Sequence, residues 1–416
     1  MKSVKMRYPI YLKEFKCIGG ECEDSCCIGW DVDIDKFTFE QYKGIQDDEM
    51  KNMLESNLIK NKNHQCDEID FAKVKLGETK RCPFLNCENY CVIHANLGEE
   101  YLSNVCTSFP RVTNKIDGIY EMSLAVACPE AARILLLKKE GIDFSEGDET
   151  LGKHIISSEV NTELGEGEWL PVEFIKEIRE VSIKIIKNRK FSLDKRLYIL
   201  GEFINSLEDE YEYNYDNVLN FIKEYDINNV QDPYKENPMN YIIQVDFFKK
   251  LLTMLRVEKD VDSERFKEYS REVREGLNLN EENYLAKNAQ MYIKAFEDYE
   301  KEFLDENSYI FENYIVNFIY SNLFPFCEIE SIFDSYIMLL IRYTFMRFYL
   351  VGMYLYNANR EGNDDNKALS KEEVVRFIQC FSKVVEHHKT YLVDLLNYIK
   401  EHDFNNLEFV KTLLPK

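Results

Sequence analysis

Residues 17–30 read "CIGGECEDSCCIGW" and place Cys17, Cys22, Cys26 and Cys27 within a span shorter than four helical turns. Four thiols so close hold a disulfide, hold a metal or react. Two further stretches share the pattern. "CPFLNCENYCVIH", residues 82–94, carries Cys82, Cys87 and Cys91 with His94 after them, and "VCTSFPRV" and "ACPEAAR" supply Cys106 and Cys128. Of 12 cysteines in 416 residues, only Cys327 and Cys380 fall outside the first 128 positions, where isolated buried thiols act as small hydrophobes. The N-terminal thiols sit instead among Gly, Pro, Asp and Glu. Short loops with several thiols, separated by longer spans, are how a chain wraps a thiophilic metal. Gly19, Gly20, Pro83 and Pro110 permit the turns this needs.

The N-terminus is charged and lacks a secretory apolar stretch, so the chain is expected in the reducing cytoplasm, where structural disulfides are uncommon. The formal charge of −23, without a Lys/Arg block, argues against nucleic acid or anionic membrane as partners. An acidic surface suits a basic target such as an exposed lysine, and serves solubility equally well. The apolar run 335–356 contains Arg342 and Arg347, which favour a buried helix over a membrane span.

The choice of metal stays open on spacing alone. Paired C-x2-C knuckles of structural zinc are absent, and iron–sulfur clusters accept more varied spacing. Neighbouring side chains point apart in helix and strand, so either Cys26 or Cys27 is a packing thiol or the domain holds two centres.

"FKCIGGECEDSCCIGW" (15–30), "CPFLNCENYCVIHANLGEEYLSNVCTSFPR" (82–111), "ACPEAARILL" (127–136) and "FENYIVNFIYSNLFPF" (311–326) resemble the flagellin lysine-N-methylase (FliB) family. The first half also looks like small cysteine-rich proteins described as zinc- or iron-chelating. Matched position by position, the motif thiols are Cys17, Cys22, Cys26, Cys27, Cys82, Cys91, Cys106 and Cys128. Cys66 and Cys87 fall at variable positions, and His94 reads as a hydrogen-bonding neighbour. The resemblance implies methyl transfer from S-adenosylmethionine to flagellin lysines and a [4Fe–4S] cluster on the cysteine-rich domain. Zinc is the alternative metal, and a non-enzymatic metal-binding scaffold the alternative function. Eight thiols are twice what one cluster needs.

No Gly-rich strand–turn–helix for a doubly wound cofactor fold is legible. A radical-type C-x3-C-x2-C is also missing, since Gly29 stands where its third cysteine would be. The residues assign neither a catalytic base nor a cofactor pocket. The expected fold is mainly α: a cysteine-rich metal-binding domain at 1–138, a Gly/Glu-rich linker at 139–170, and an all-α bundle at 171–416. In that bundle Phe174, Ile175, Ile178, Val181 and Ile185 make one apolar stripe, Ser370 with Glu373 signals a helix start, and 329–356 runs through the centre.

Overall fold

The computed structural model describes residues 2–164, 172–229, 238–279, 285–327, 331–360 and 369–414. The chain forms two compact units, Met1–Ile134 with Asp143–Val160, and Leu135–Ile142 with Asn161–Lys416.

The first unit is built on strands, a sheet-bearing region that the mainly α expectation for the chain, with its cysteine-rich N-terminal domain, did not include. Eight strands are β1 (Lys2–Pro9), β2 (Asp33–Ile34), β3 (Leu58–Lys60), β4 (Ala72–Val74), β5 (Arg111–Ile116), β6 (Ile119–Leu124), β7 (Phe144–Leu151) and β8 (Ile156–Val160). Five form a mixed sheet in the order β7-β1-β6-β5-β8. In β1, Val4, Met6 and Tyr8 alternate inward while Ser3 and Lys5 face out, the period-2 pattern of a half-buried strand. β1 pairs antiparallel with β7 from Lys2↔Leu151 to Pro9↔Phe144 and parallel with β6 at Met6↔Tyr120. β5 and β6 form a hairpin closed by Asp117 and Gly118, both at positive φ (49° and 79°). This is the two-residue turn whose twist matches the strands, and Asp-Gly is its usual sequence.

The segment 139–170, expected as a linker, contains β7 and β8, so much of it completes the first unit's sheet. Its Gly and Glu content hides strands held by backbone pairing, with little apolar burial of their own. Residues 165–170, and the Pro171 expected to open the next helix, lie outside the described residues.

A smaller antiparallel sheet, β2-β4-β3, covers a core that includes Ile34, Tyr42, Leu54, Phe71, Phe84 and Cys82. Asp35, 1% exposed, organises one edge of it. One carboxylate oxygen accepts the Thr38 N–H at 2.8 Å and caps the helix Lys36–Lys43. The other accepts the Asn104 N–H at 2.9 Å and fixes the segment leading to Cys106.

The second unit's described core is helical, as the apolar periodicity predicts. Ile175–Ile186 buries Ile175, Ile178 and Ile185, while Phe174 and Val181 stay partly exposed. Both hydrogen bonds of the Ser370/Glu373 capping box are made. Ile332–Arg360 is long and apolar enough to cross a membrane, yet its most apolar window lies wholly inside the protein. Arg347 within it donates to Asp194 at 2.6 Å and to the Leu413 carbonyl at 2.7 Å, so the buried cation is paired and hydrogen-bonded. The last long helix is interrupted. Lys371–Phe381 continues as a π-turn at Ser382–Glu386, breaks at His387, and His388 caps Lys389–Glu401.

Candidate functional site in the thiol loops

The loops of the first unit carry the ten clustered cysteines, and backbone pairing sets their order. Cys82 donates its N–H to the Cys27 carbonyl at 2.9 Å, Gly29 donates to the Lys80 carbonyl at 3.0 Å, and Val92 donates to the Phe84 carbonyl at 2.8 Å. Gly20 lets the first loop seat on the second: a Cβ there would stand 2.5 Å from the Glu88 carbonyl oxygen and 2.8 Å from the Tyr90 ring.

Cys27, Cys82, Cys91 and Cys106 share one neighbourhood, each within electrostatic reach of others in the set. Tyr42 adjoins it; its hydroxyl donates to the Tyr101 carbonyl at 2.7 Å and lies within reach of Cys106, Cys91 and Cys82. Cys17, Cys22 and Cys128 make a second neighbourhood. Cys26 stands between the two, in reach of Cys17 and Cys106 and hydrogen-bonded to Cys27. Adjacent thiols expected to diverge are thus in contact. The reason is the turn there, where Ile28 donates to the Ser25 carbonyl at 3.2 Å, which is neither helix nor strand.

Several sulfurs receive backbone N–H groups: Cys82 from Phe84, Cys91 from His94 and Ile93, Cys128 from Ala131 and Glu130, and Cys22 from Asp24. Such donors stabilise a thiolate over a thiol. Desolvation nevertheless dominates at the two buried thiols, pushing Cys82 up to about 12 and Cys128 to about 11. Cys26 is raised chiefly by its hydrogen bond to Cys27. Cys27 moves the other way, because Cys26 and Ser25 donate to it and the Arg81 guanidinium is near.

The donor set matches a thiophilic cation in type and neighbourhood. Among the described residues, however, no three His, Cys, Asp or Glu side chains stand in a ready-made metal-binding arrangement. Neutral thiols have no force drawing them to a point; a cation supplies one by displacing their protons.

Neighbouring residues take structural roles. Trp30 packs edge-on against Phe109 at 5.2 Å, Arg111 lies over the Phe15 ring at 5.4 Å, and Asp33 faces Lys73 at 3.8 Å. Cys66 donates its N–H to Asp70 at 2.8 Å, in a loop of its own. Tyr42 and Asp35 are the residues the sequence reading missed. Both sit on the charged segment "DIDKFTFEQYK", whose D-x-x-T start was a usable helix-cap signal.

The profile described as "FliB lysine N-methylase C-terminal domain" matches residues 179–413, more than half of the chain. The chain belongs to the FliB lysine N-methylase family. Lysine-N-methylases of Salmonella typhimurium and Salmonella choleraesuis are each 28% identical over 208 residues, 49% of this chain and 48% of the relative. The flagellar biosynthetic protein FliU of Salmonella muenchen is 30% identical over 150 residues, 35% of this chain and 85% of the relative. The chain therefore spans about half the length of the Salmonella lysine-N-methylases it matches. No solved structure matches it.

Proposed function

We propose that this FliB-family chain is a protein-lysine N-methyltransferase that modifies flagellin with methyl groups from S-adenosylmethionine, in the cytoplasm. The family match over 179–413 carries the reading, and the names of the Salmonella relatives support it. In the reaction a neutral lysine ε-amine forms a bond to the methyl carbon. The carbon–sulfur bond breaks with its electron pair left on sulfur, and the ammonium proton passes to water.

The proposal extends to a [4Fe–4S] cluster in the thiol loops. Cys27, Cys82, Cys91 and Cys106 would hold it, on the support of their shared neighbourhood and of the N–H donors aimed at Cys82 and Cys91. When bound, the cluster supplies a Lewis-acidic, electron-accepting centre. The chain's own contribution is positional. Asp35 holds the approach to Cys106, and the Cys27–Cys82 backbone bond aligns two loops.

The test is anaerobic purification followed by incubation of the full chain with flagellin and methyl-labelled S-adenosylmethionine. Label on flagellin lysines, with four iron per chain and broad absorption near 400 nm, is the expected result. A colourless protein with stoichiometric zinc and no transferred label would establish the scaffold reading instead.

A further inference from the structure

The second unit contains a cavity of about 460 Å³, within the usual range for small-ligand sites. Among its lining residues Asp194, Tyr343 and Arg347 are tied to one another. Asp194 accepts the Tyr343 hydroxyl at 2.9 Å and the Arg347 guanidinium at 2.6 Å, and Arg347 stacks over Phe296 at 4.7 Å.

Other lining residues are different. Lys190 lines the cavity from the segment 189–194, beside Lys139, whose carbonyl accepts from Arg189 at 2.7 Å, while Asp305 and Glu306 line it from the segment 304–309; all four are exposed. None of the four has an ion-pair partner among the described residues, and no lysine–carboxylate pair forms across the cavity. Opposite charges that share a cavity without touching leave a dipolar space between them. Ser192 and the start of the 21-residue helix Leu193–Tyr213 lie on the cationic side and add backbone N–H groups there. The acidic side follows a π-helical turn, Glu300–Leu304, a distortion that recurs at functional sites. Phe191, Phe296 and Tyr309 add aromatic surface to the lining.

We infer that this cavity binds the zwitterionic amino-acid end of a methyl donor, an assignment that rests on the methyltransferase reading. The carboxylate faces Lys139, Lys190 and the helix start. The ammonium and the adjoining sulfonium face Asp305 and Glu306, with aromatic rings beside the cation. A free amino acid shares the zwitterion but lacks the sulfonium and the nucleoside.

Calorimetry on the full chain tests this with S-adenosylmethionine, S-adenosylhomocysteine, L-methionine and adenosine as probes. The double variant Lys139→Glu/Lys190→Glu is expected to weaken S-adenosylhomocysteine and L-methionine about tenfold and to leave adenosine unaffected. Asp305→Lys/Glu306→Lys should weaken S-adenosylmethionine more than S-adenosylhomocysteine, because only the former carries the sulfonium charge. L-methionine binding as tightly as S-adenosylmethionine would make a free amino acid the occupant and overturn the inference. All four positions are exposed, so unchanged circular dichroism and melting temperature are the fold control. Wild-type affinities in both variants, with methyl transfer to flagellin intact, overturn the cavity assignment and leave the methyltransferase reading standing. Absence of wild-type transfer removes that reading, and the methyl donor as occupant with it.

Discussion

Cys82 donates its backbone N–H to the carbonyl of Cys27 at 2.9 Å, so two thiols far apart in sequence lie on paired strands of chain. That bond holds the first cysteine loop against the second.

The first prediction follows from it. Cys27→Ala or Cys82→Ala should abolish iron retention after anaerobic reconstitution, measured by iron and sulfide analysis and by the absorption near 400 nm. Cys106→Ala should do the same, whereas Cys66→Ala, Cys87→Ala and Cys380→Ala should bind iron as the wild type does. Equal iron in all six variants refutes the four-thiol assignment.

Glu312 is 1% exposed and answers two arginines, Arg196 at 2.6 Å and Arg189 at 2.8 Å. Glu312→Gln strands the buried Arg196 cation and should cost about 3–5 kcal/mol in denaturant unfolding. Arg189→Ala, at the exposed end of the network, should cost under about 1 kcal/mol. Similar losses from both substitutions would show that the exposed arginine matters as much as the buried one.

Gly276, in the helix Glu264–Gly276, meets the long helix Ile332–Arg360 backbone to backbone. A Cβ at Gly276 would lie 2.2 Å from the Gly352 carbonyl oxygen and 2.9 Å from the Tyr356 nitrogen. Gly276→Ala forces the helices apart and should destabilise by about 1–3 kcal/mol, despite the better helix propensity of alanine. An unchanged or raised melting temperature would refute this contact.

His387 is exposed at the helix break, yet partial desolvation lowers its pKa below the ordinary 6.5, against the opposing charge of Glu386. The folded protein therefore binds fewer protons here than the unfolded chain. This contribution is complete above the unfolded pKa and declines as the pH falls through 6.5 toward the folded value. Urea midpoints at pH 7.5 and 5.5 should differ more for the wild type than for His387→Gln. Identical pH dependence in the two proteins would contradict a lowered His387 pKa.

Much of the second unit was legible in the sequence. The stripe at Ile175, Ile178 and Ile185, the Ser370/Glu373 box and the predominantly apolar run around Leu340 all depend on local periodicity, which one helix expresses by itself. The sheet of the first unit was less legible. β7 reads "FSEGDETL" and gains its place from pairing with β1, a partner more than a hundred residues away. Asp117-Gly118 was the available hairpin signal, overshadowed by the cysteines beside it.

By itself the sequence supplied the clustering of the thiols, a helix apolar on nearly every face for a core, and a family likeness for lysine methylation. Only the tertiary structure decided which thiols are neighbours, that Cys26 and Cys27 touch, and that an opposite-charge cavity opens beside Asp194. The physical reason is range. Donor type and helical period are carried by a few consecutive residues, whereas a shared site depends on backbone pairing and packing between segments that no local pattern connects.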